Sequence, residues 1–252
     1  YPGEFTGLLH NGDIPVTLSY TDAQRSYNLV GNPYPTVIDA ETFMTANTTS
    51  IENTLYFWRK TNGASGSAYA TYTAGGATTT EPGIPAPNGK IQVGQGFLVQ
   101  EKIAGLVPTF FTNAMREASP TSTQFYKTKK VAEKDRVWLN LTNTTGVFSQ
   151  ALVAYLPDAT SGVDRYDGKY INDSKIALTS NINNEEYTIQ SRPAFDVSDV
   201  VALNFKTNID GDYTIAIDHA DGLFANGQDV YLVDSKTGVE TNLKTSSYTF
   251  TA

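Results

Sequence analysis

Apolar and polar residues alternate with a period of two along much of the chain, which is the pattern of β-strands that bury one face. The alternation is clear at residues 27–31 and 90–102 in the first half and at 137–141 in the second. Residues 54–60 and 151–156 are apolar on both faces, as in strands at the centre of a sheet. Asn-Gly, Asp-Gly and Thr-Gly turns separate the runs. The pattern predicts an all-β protein.

One short helix is predicted within this β pattern. The run Tyr27–Gly31 ends at Asn32-Pro33-Tyr34-Pro35, because proline neither continues a hydrogen-bonded ladder nor enters a helix interior. Asp39 then stands where the N-cap of a helix would lie. Phe43 and Met44 follow one turn later, where they would fold back on the strand.

Two changes in composition divide the chain. Residues 62–87 are rich in Gly, Ala, Ser, Thr and Pro, which bury little apolar area, so we expect a long surface excursion that carries one edge strand at 69–72. Residues 119–135 contain a polar, proline-containing joint of the kind that separates domains. We therefore predict two β-sandwich domains in tandem, of jelly-roll or Greek-key type, at 1–118 and 136–252. The first would contain the short helix and the excursion.

Composition excludes several classes of function. The net charge is −8, with 18 Lys and Arg against 26 Asp and Glu, which argues against a nucleic-acid or anionic-membrane surface. The chain has no Cys, so it has no disulfides, catalytic thiols or thiolate metal sites. No apolar run reaches the ~18 residues of a membrane-spanning helix. The chain begins at Tyr1 without a signal-peptide pattern, so we expect it to be a segment of a longer protein.

Two tyrosines of the excursion are candidate ligand-binding residues. Tyr69 and Tyr72 are able to stack on a sugar ring. Exposed tyrosines on loops are also common without any ligand. Trp58 precedes them in a run that is apolar on both faces, so we expect it in the core rather than on a binding platform.

An acidic stretch at residues 158–170 offers candidate metal ligands. Asp158, Asp164 and Asp167 bring three carboxylates together, and hard oxygen ligands of this type suit calcium. The spacing fits no EF-hand. Arg165 and Lys169 lie among the carboxylates and can neutralise them without an ion. The stretch is therefore either a structural turn or cap, which we favour, or a calcium site.

Enzymatic signatures are weak. His10 and His219 stand alone, and no Gly-x-Ser-x-Gly occurs, so hydrolysis by an activated serine is not indicated. Asp218 and Asp221 flank His219 in a second stretch that we expect to be an acidic loop. A glycosidase that uses two carboxylates would leave no sequence signature. We nevertheless predict that the chain is not an enzyme.

Several short sequence segments resemble the C-terminal region of secreted and cell-surface proteins of the Bacteroidota that the type IX secretion system exports. The similarity spans residues from about 27 to 252. The segments that show this similarity are Tyr27-Asn28-Leu29-Val30-Gly31-Asn32-Pro33-Tyr34-Pro35, Gly94-Gln95-Gly96-Phe97, the loop 159–167, Ile189-Gln190-Ser191-Arg192-Pro193, and the stretch 218–222. The resemblance implies export across an outer membrane, with β-sandwich modules displayed or released outside the cell. It carries over no catalytic residues, and it implies a sorting domain at or beyond the C-terminal end.

Two functions follow as expectations. The first is a non-catalytic, adhesin-like structural module at the cell surface that mediates protein–protein or surface attachment. Its partners would be type IX secretion components, other surface proteins or further copies of itself, and gliding motility is one process it would serve. The alternative is a carbohydrate-binding module, with or without calcium, that accompanies a secreted enzyme and binds polysaccharide. Neither involves nucleic acid.

Overall fold

Strands account for most of the regular structure. The computed structural model describes residues 6–59, 66–104, 107–117 and 134–252, and no helix within these ranges is long and apolar enough to cross a bilayer. The elements are β1 (Ile14–Val16), β2 (Tyr27–Gly31), β3 (Ile38–Asp39), α1 (Ala40–Ala46), β4 (Leu55–Trp58), β5 (Tyr69–Tyr72), β6 (Lys90–Ile91), β7 (Gly96–Gln100), β8 (Thr109–Phe111), β9 (Asp135–Asn143), β10 (Phe148–Tyr155), β11 (Gly168–Lys169), β12 (Ala177–Ile182), β13 (Glu185–Arg192), β14 (Leu203–Lys206), β15 (Asp212–Asp221), α2 (Gly222–Ala225), β16 (Tyr231–Val233), β17 (Glu240–Asn242) and β18 (Tyr248–Thr251). The all-β class is confirmed.

The chain divides into two compact units. One comprises Tyr1–Glu52 and Gly89–Thr128, and the other comprises Asn53–Asn88 and Lys129–Ala252. Each unit is therefore built from two separate stretches of sequence.

This division differs from the predicted domains, 1–118 and 136–252, in one segment. Residues 53–88 belong with the C-terminal part of the chain, although the sequence prediction places them in the first domain. The predicted linker, 119–135, lies outside the described residues as far as position 133.

The first unit contains three antiparallel strand pairs, which are β1 with β8, β2 with β7, and β3 with β6. Helix α1 begins where the sequence predicts, because Asp39 Oδ1 accepts the backbone N–H of Thr42 at 2.8 Å. Phe43 of this helix stacks on Phe111 at 4.8 Å and meets Phe97 edge-on at 5.4 Å. The predicted helix and its inward-facing aromatic residue are confirmed.

Seven strands of the second unit form one continuous sheet. Their order is β14-β12-β13-β10-β9-β15-β18, and β11 pairs with β13. β10 runs parallel to β13, whereas β9 is antiparallel to both β10 and β15. The sheet curls, because Phe205 of β14 and Phe250 of β18, from its two end strands, meet edge to face at 4.9 Å. The coarse all-β architecture is thus established, and the tandem sandwich arrangement stays a prediction.

Both faces of this sheet bury side chains. Val137 and Leu139 of β9 point into the larger apolar core. Trp138, between them, points to the opposite face and packs with Leu152 and Ile189. The alternation in β9 therefore separates two buried faces rather than a buried face from a solvated one.

Residues 70–80 are mostly buried in the second unit, so the prediction of a surface excursion over 62–87 is wrong for this part. The described residues on either side, 66–69 and 81–87, are exposed or partly exposed, and 62–65 lie outside the described residues. Thr73 and Thr78 are each 1% exposed. Trp138 donates a hydrogen bond through Nε1 to the carbonyl of Ala77 at 2.8 Å. The predicted strand at 69–72 is present as β5, but the residues that follow it lie on the β9–β10 region of the sheet.

Small side chains explain why this segment is buried despite its polar composition. A Cβ added to Gly75 would stand 2.5 Å from both Ser191 Oγ and the Tyr166 carbonyl oxygen, and one added to Gly76 would stand 2.5 Å from Leu152 Cδ2. Glycine therefore permits a backbone-to-sheet approach that any larger residue would block. Hydropathy counts apolar atoms, so it misses a segment that packs through its backbone.

Candidate functional sites

Asp167 is the most buried carboxyl group of the acidic stretch, at 3% exposed. Its Oδ1 accepts the backbone N–H of Ser191 at 2.7 Å, and its Oδ2 accepts that of Asp164 at 2.7 Å. Burial raises the pKa of Asp167 to about 7, and the two backbone donors partly oppose this rise. The side chain therefore fastens the loop to β13 and exchanges a proton near neutral pH.

Asp164 has a comparable structural role. Its Oδ1 accepts the N–H of Tyr166 at 2.9 Å, and its Oδ2 accepts the N–H of Thr160 at 2.6 Å. Asp158 lies on the surface. Side-chain oxygens that accept nearby backbone donors in this way are typical of Asx turns.

The three predicted calcium ligands are thus placed differently from one another. Asp164 and Asp167 are joined through a backbone N–H, and all four of their carboxylate oxygens accept backbone hydrogen bonds. Asp158 is exposed. Within the described ranges, no group of three or more His, Asp or Glu side chains is arranged to hold a metal ion. The observed geometry is that of a turn whose carboxylates are occupied by the backbone.

The predicted sugar-binding tyrosines do not form one platform. Tyr69 and Tyr72 are the first and last residues of the four-residue strand β5, so their side chains leave opposite faces of the strand. Tyr69 lies directly opposite Trp58 in the pairing of β4 with β5. Trp58 is 63% exposed, so the prediction that it belongs to the core is wrong. The aromatic pair that the structure presents is Trp58 with Tyr69.

The strand that carries Tyr69 is anchored at its start. Asp173 Oδ2 accepts the backbone N–H of Ala68 at 2.8 Å and the hydroxyl of Ser67 at 3.1 Å. Tyr56, two residues before Trp58 and on the same face, is fully buried and donates its hydroxyl to the Lys169 carbonyl at 2.9 Å. The exposed tryptophan therefore stands on a strand pair that is held firmly at both ends.

A second cluster, on β9 and β15, contains His219 and the two aspartates of the second acidic stretch. His219 stacks on Trp138, with ring centroids 4.0 Å apart and an interplanar angle of 18°. The Arg136 guanidinium lies 4.8 Å from the Trp138 ring centroid and pairs with Asp221, whose Oδ2 accepts from Nε at 2.9 Å. His219 Nδ1 lies 2.5 Å from Asp218 Oδ2. The indole is thus contacted by two nitrogen-containing side chains that are each paired with a carboxylate.

Asp218 and His219 belong to strand β15, so the prediction of an acidic loop here is wrong. The register of β15 against β9 shifts between Ile217 and His219, which is the mark of a β-bulge. Asn140 of β9 donates to Asp218 Oδ1 at 2.8 Å. The bulge depends on the partner strand, so the periodicity of β15 alone does not reveal it. The stacking of His219 on Trp138 follows from the same register.

A partly buried ion pair stabilises the end of β13. Arg192 and Asp199 contact each other through two hydrogen bonds of 3.0 and 2.5 Å. The Arg192 guanidinium holds the pKa of Asp199 below its usual range. Burial, together with the nearby Asp199 carboxylate, raises the pKa of the Tyr155 hydroxyl. Tyr155 also meets Phe195 edge-on at 5.1 Å, so these groups close one side of the larger core.

The full length of the chain, residues 1–252, matches the model of a single protein family, described as a domain of unknown function (DUF8693). Neither the curated proteins nor the solved structures compared with the chain include a significant match.

Proposed function

The chain belongs to the DUF8693 family, and we propose that it is a non-catalytic attachment module of a secreted protein. It would be displayed at the cell surface, where its β-rich units, arranged as tandem sandwiches, present apolar side chains to other proteins or to a surface. The resemblance to type IX-exported proteins supports the extracellular location, and secretion components are among the expected partners.

The observation that carries this proposal is the exposure of six large apolar side chains between residues 197 and 239 of the second unit. Val197 and Val200 are 86% and 83% exposed, and Tyr231 and Val233 are 56% and 58% exposed. Leu223 and Val239 are exposed as well. Within the same unit, Val163 is the one exposed large apolar residue between 134 and 192, whereas the first unit also exposes large apolar residues such as Leu8 and Leu29. Exposed apolar side chains that lie together on a surface are typical of interaction sites.

Strand β16 presents its apolar residues in a fixed orientation. Tyr231 and Val233 share the outer face of the strand, and Leu232 between them packs against the larger core. Pairing with β17 places Asn242 opposite Tyr231 and Glu240 opposite Val233. A rigid aromatic side chain with polar neighbours suits a protein interface.

The hydrogen bonding of the acidic stretch supports a structural role over a catalytic one. The carboxylates of Asp164 and Asp167 accept backbone N–H groups with both oxygens, and Arg192 is engaged by Asp199. These polar groups therefore stabilise loops.

Attachment is testable by adsorption to chemically defined surfaces on a quartz microbalance. We expect the chain to be retained on a methyl-terminated monolayer more than on a hydroxyl-terminated one, and Tyr231→Ser with Val233→Ser to reduce that retention severalfold. Val163→Ser is the matched control, because it removes an exposed valine outside residues 197–239. Equal retention of all three proteins would remove the support for this function.

A carbohydrate-binding module is the second candidate, and the pair of exposed Trp58 with partly buried Tyr69 favours it. An exposed tryptophan beside a tyrosine on one face of a strand pair resembles the stacking surfaces that bind sugar rings. On a polysaccharide and glycan array, Trp58→Ala would abolish retention, whereas Tyr231→Ala, which removes an exposed aromatic side chain of β16, would not. A parallel array with a calcium chelator tests calcium assistance through Asp158, Asp164 and Asp167. No retention of any glycan by the unmodified chain would exclude this function.

A further inference from the structure

The two end strands of the curled sheet each have one unpaired edge. In the described part of the chain, β14 pairs with β12 and β18 pairs with β15, and no strand pairs with their outer edges. An unpaired edge presents a row of N–H and C=O groups that a further strand can bind. Here two such edges belong to the same curled sheet, and side chains from both meet across it.

The register identifies which backbone groups of β18 face outwards. Gly211 and Ala252 exchange two hydrogen bonds, of 2.9 and 3.0 Å. In an antiparallel pair such hydrogen-bonded positions recur every second residue, so Phe250 and Tyr248 direct their backbone groups towards β15. The N–H and C=O groups of Thr249 and Thr251 consequently point to the outer edge.

The same reasoning applies to β14. The N–H of Asn181 donates to the Ala202 carbonyl at 3.0 Å, and Leu203 lies opposite Ser180. The backbone groups of Ala202 and Asn204 therefore face β12, whereas those of Leu203 and Phe205 point to the outer edge. Each end strand thus offers two residues with outward backbone groups.

Apolar side chains lie between the two edges. Phe205 meets Phe250 at 4.9 Å and Tyr213 at 5.0 Å. Leu203 and Tyr248 also pack against the larger core and remain partly exposed. Every residue of β14 has intermediate burial, and β18 alternates between intermediate and exposed residues. The core is therefore incompletely covered along the line between these strands.

We propose that the space between β14 and β18 binds an extended strand of a partner polypeptide, whose side chains alternate between apolar and polar. An extended chain supplies N–H and C=O groups along both of its sides, matching the outward groups of both end strands. Its apolar side chains, on one face, would cover Phe205 and Phe250. This inference rests on the proposed attachment function and names its partner.

Charge adds one further requirement on the partner. Asp210 and Asp212 are exposed beside the C-terminal end of β18, where Asp212 lies opposite Thr251. The whole chain carries a net charge of −8. A lysine or arginine next to the partner strand would therefore be attracted to this end of the space between β14 and β18.

Binding is testable with a short synthetic peptide in which valine and threonine alternate between terminal lysines. Fluorescence anisotropy of the labelled peptide should show saturable binding to the full chain. The same peptide with alternate backbone nitrogens methylated should bind roughly tenfold more weakly or not at all, because the donors along one of its two edges are removed. Equal binding of both peptides would show apolar adsorption without strand pairing and would overturn the inference.

A backbone variant of the protein tests the edge itself. Thr249→Pro removes an outward N–H without removing a bond to β15, since proline is tolerated at the outer side of an edge strand. It should lower peptide affinity roughly tenfold. Thr249→Ala keeps the N–H and serves as the matched control, and circular dichroism checks that both proteins fold. Unchanged affinity in a folded Thr249→Pro protein would contradict strand addition.

Further measurements test the charge requirement and distinguish failure of strand addition from failure of the attachment function. Asp210→Asn should weaken binding of the lysine-flanked peptide by roughly twofold to fivefold at low salt, and a glutamate-flanked peptide should bind more weakly still.

If the chain dimerises in sedimentation velocity and Thr249→Pro abolishes the dimer, the occupant is a second copy and the assignment to a different partner is wrong. If the peptide fails to bind while adsorption still depends on Tyr231 and Val233, strand addition fails and the attachment function stands.

Discussion

At the scale of single residues, the acidic stretch shows that local hydrogen bonding decides what a carboxyl group does. The sequence alone does not distinguish the three aspartates at 158, 164 and 167. In the fold, Asp167 is buried, Asp164 is partly buried and Asp158 is exposed. The sequence predicts carboxylates in a turn, but not which backbone N–H groups they will meet, because those donors include Ser191, more than twenty residues away in β13. The choice between a metal site and a cap therefore required the structure.

Asp167 should make stability depend on pH. Its ordinary pKa is 3.8, and burial raises that pKa to about 7 in the folded protein. A raised pKa favours the protonated form, so the stability that this group contributes is complete below its unfolded pKa and is lost as pH rises through about 7. We expect the free energy of unfolding of the wild type, relative to Asp167→Asn, to fall by about 3 to 5 kcal/mol between acidic and mildly alkaline pH.

Urea denaturation of both proteins across that pH range measures the effect. Taking the difference between the two proteins removes the contributions of other titrating groups. Asparagine accepts one of the two backbone N–H groups that Asp167 accepts, which adds a constant loss at every pH. Parallel stability curves for the two proteins would show that Asp167 titrates as it does in the unfolded chain.

At the scale of elements, the period-two alternation identifies strands well where one strand face is apolar. Strands β2 and β9 and helix α1 lie where the sequence predicts them, whereas the alternating run 90–102 is interrupted by a turn at 92–95 and forms two strands, β6 and β7. The pattern misplaces Trp58, because this residue is the last of β4 and is exposed there, although Tyr56 on the same face is fully buried. It also misses the burial of residues 70–80, since these pack through glycine, alanine and threonine.

The close packing of Gly75 provides a test. An alanine there would place Cβ 2.5 Å from a backbone oxygen of Tyr166 and from Ser191 Oγ. We expect Gly75→Ala to destabilise the protein by about 1 to 3 kcal/mol, because the segment must move away from the sheet. Gly162→Ala is the control, since its nearest neighbour is Thr160 Oγ1 at 3.9 Å. Thermal melts that leave both variants equally stable would show that the segment does not lie so close to the sheet.

The cap of helix α1 provides a second test at this scale. Asp39 accepts both the N–H and the hydroxyl of Thr42 at 2.8 Å and also binds Lys90. Asp39→Ala should cost about 1 to 2 kcal/mol, as for other N-caps. Asp39→Asn keeps a capping oxygen but loses the charge, so it should cost less. If chemical denaturation shows the two variants to be equally destabilised, the ion pair with Lys90 matters more than the cap.

At the scale of the whole molecule, contacts between distant segments set the division into units. A sequence boundary can be recognised from a polar, proline-containing joint, but residues 53–88 join the second unit across an intervening stretch that belongs to the first. Amino-acid composition does not show that a segment packs with a part of the chain from which another unit separates it in the sequence. The sequence therefore predicts the β class correctly but not the partner of this segment.

Hydrogen exchange followed by mass spectrometry tests the assignment of this segment. Peptides from residues 70–80 should exchange as slowly as those from β9 and β10, because their amides are buried against the same sheet. Peptides from 158–163, which are largely exposed, provide the comparison within the same unit. Rapid exchange of 70–80, at the rate of the exposed loop, would contradict the burial of this segment.

The unequal exposure of the two tryptophans gives the second unit a built-in optical reporter. Trp58 is 63% exposed and Trp138 is 6% exposed, and the chain contains no other indole. Iodide should quench the red-shifted emission of Trp58 and leave the blue-shifted emission of Trp138, which lies against His219. Unfolding of the sheet and ligand binding at the strand pair β4–β5 can therefore be followed separately, by the wavelength of tryptophan emission, without attaching a dye.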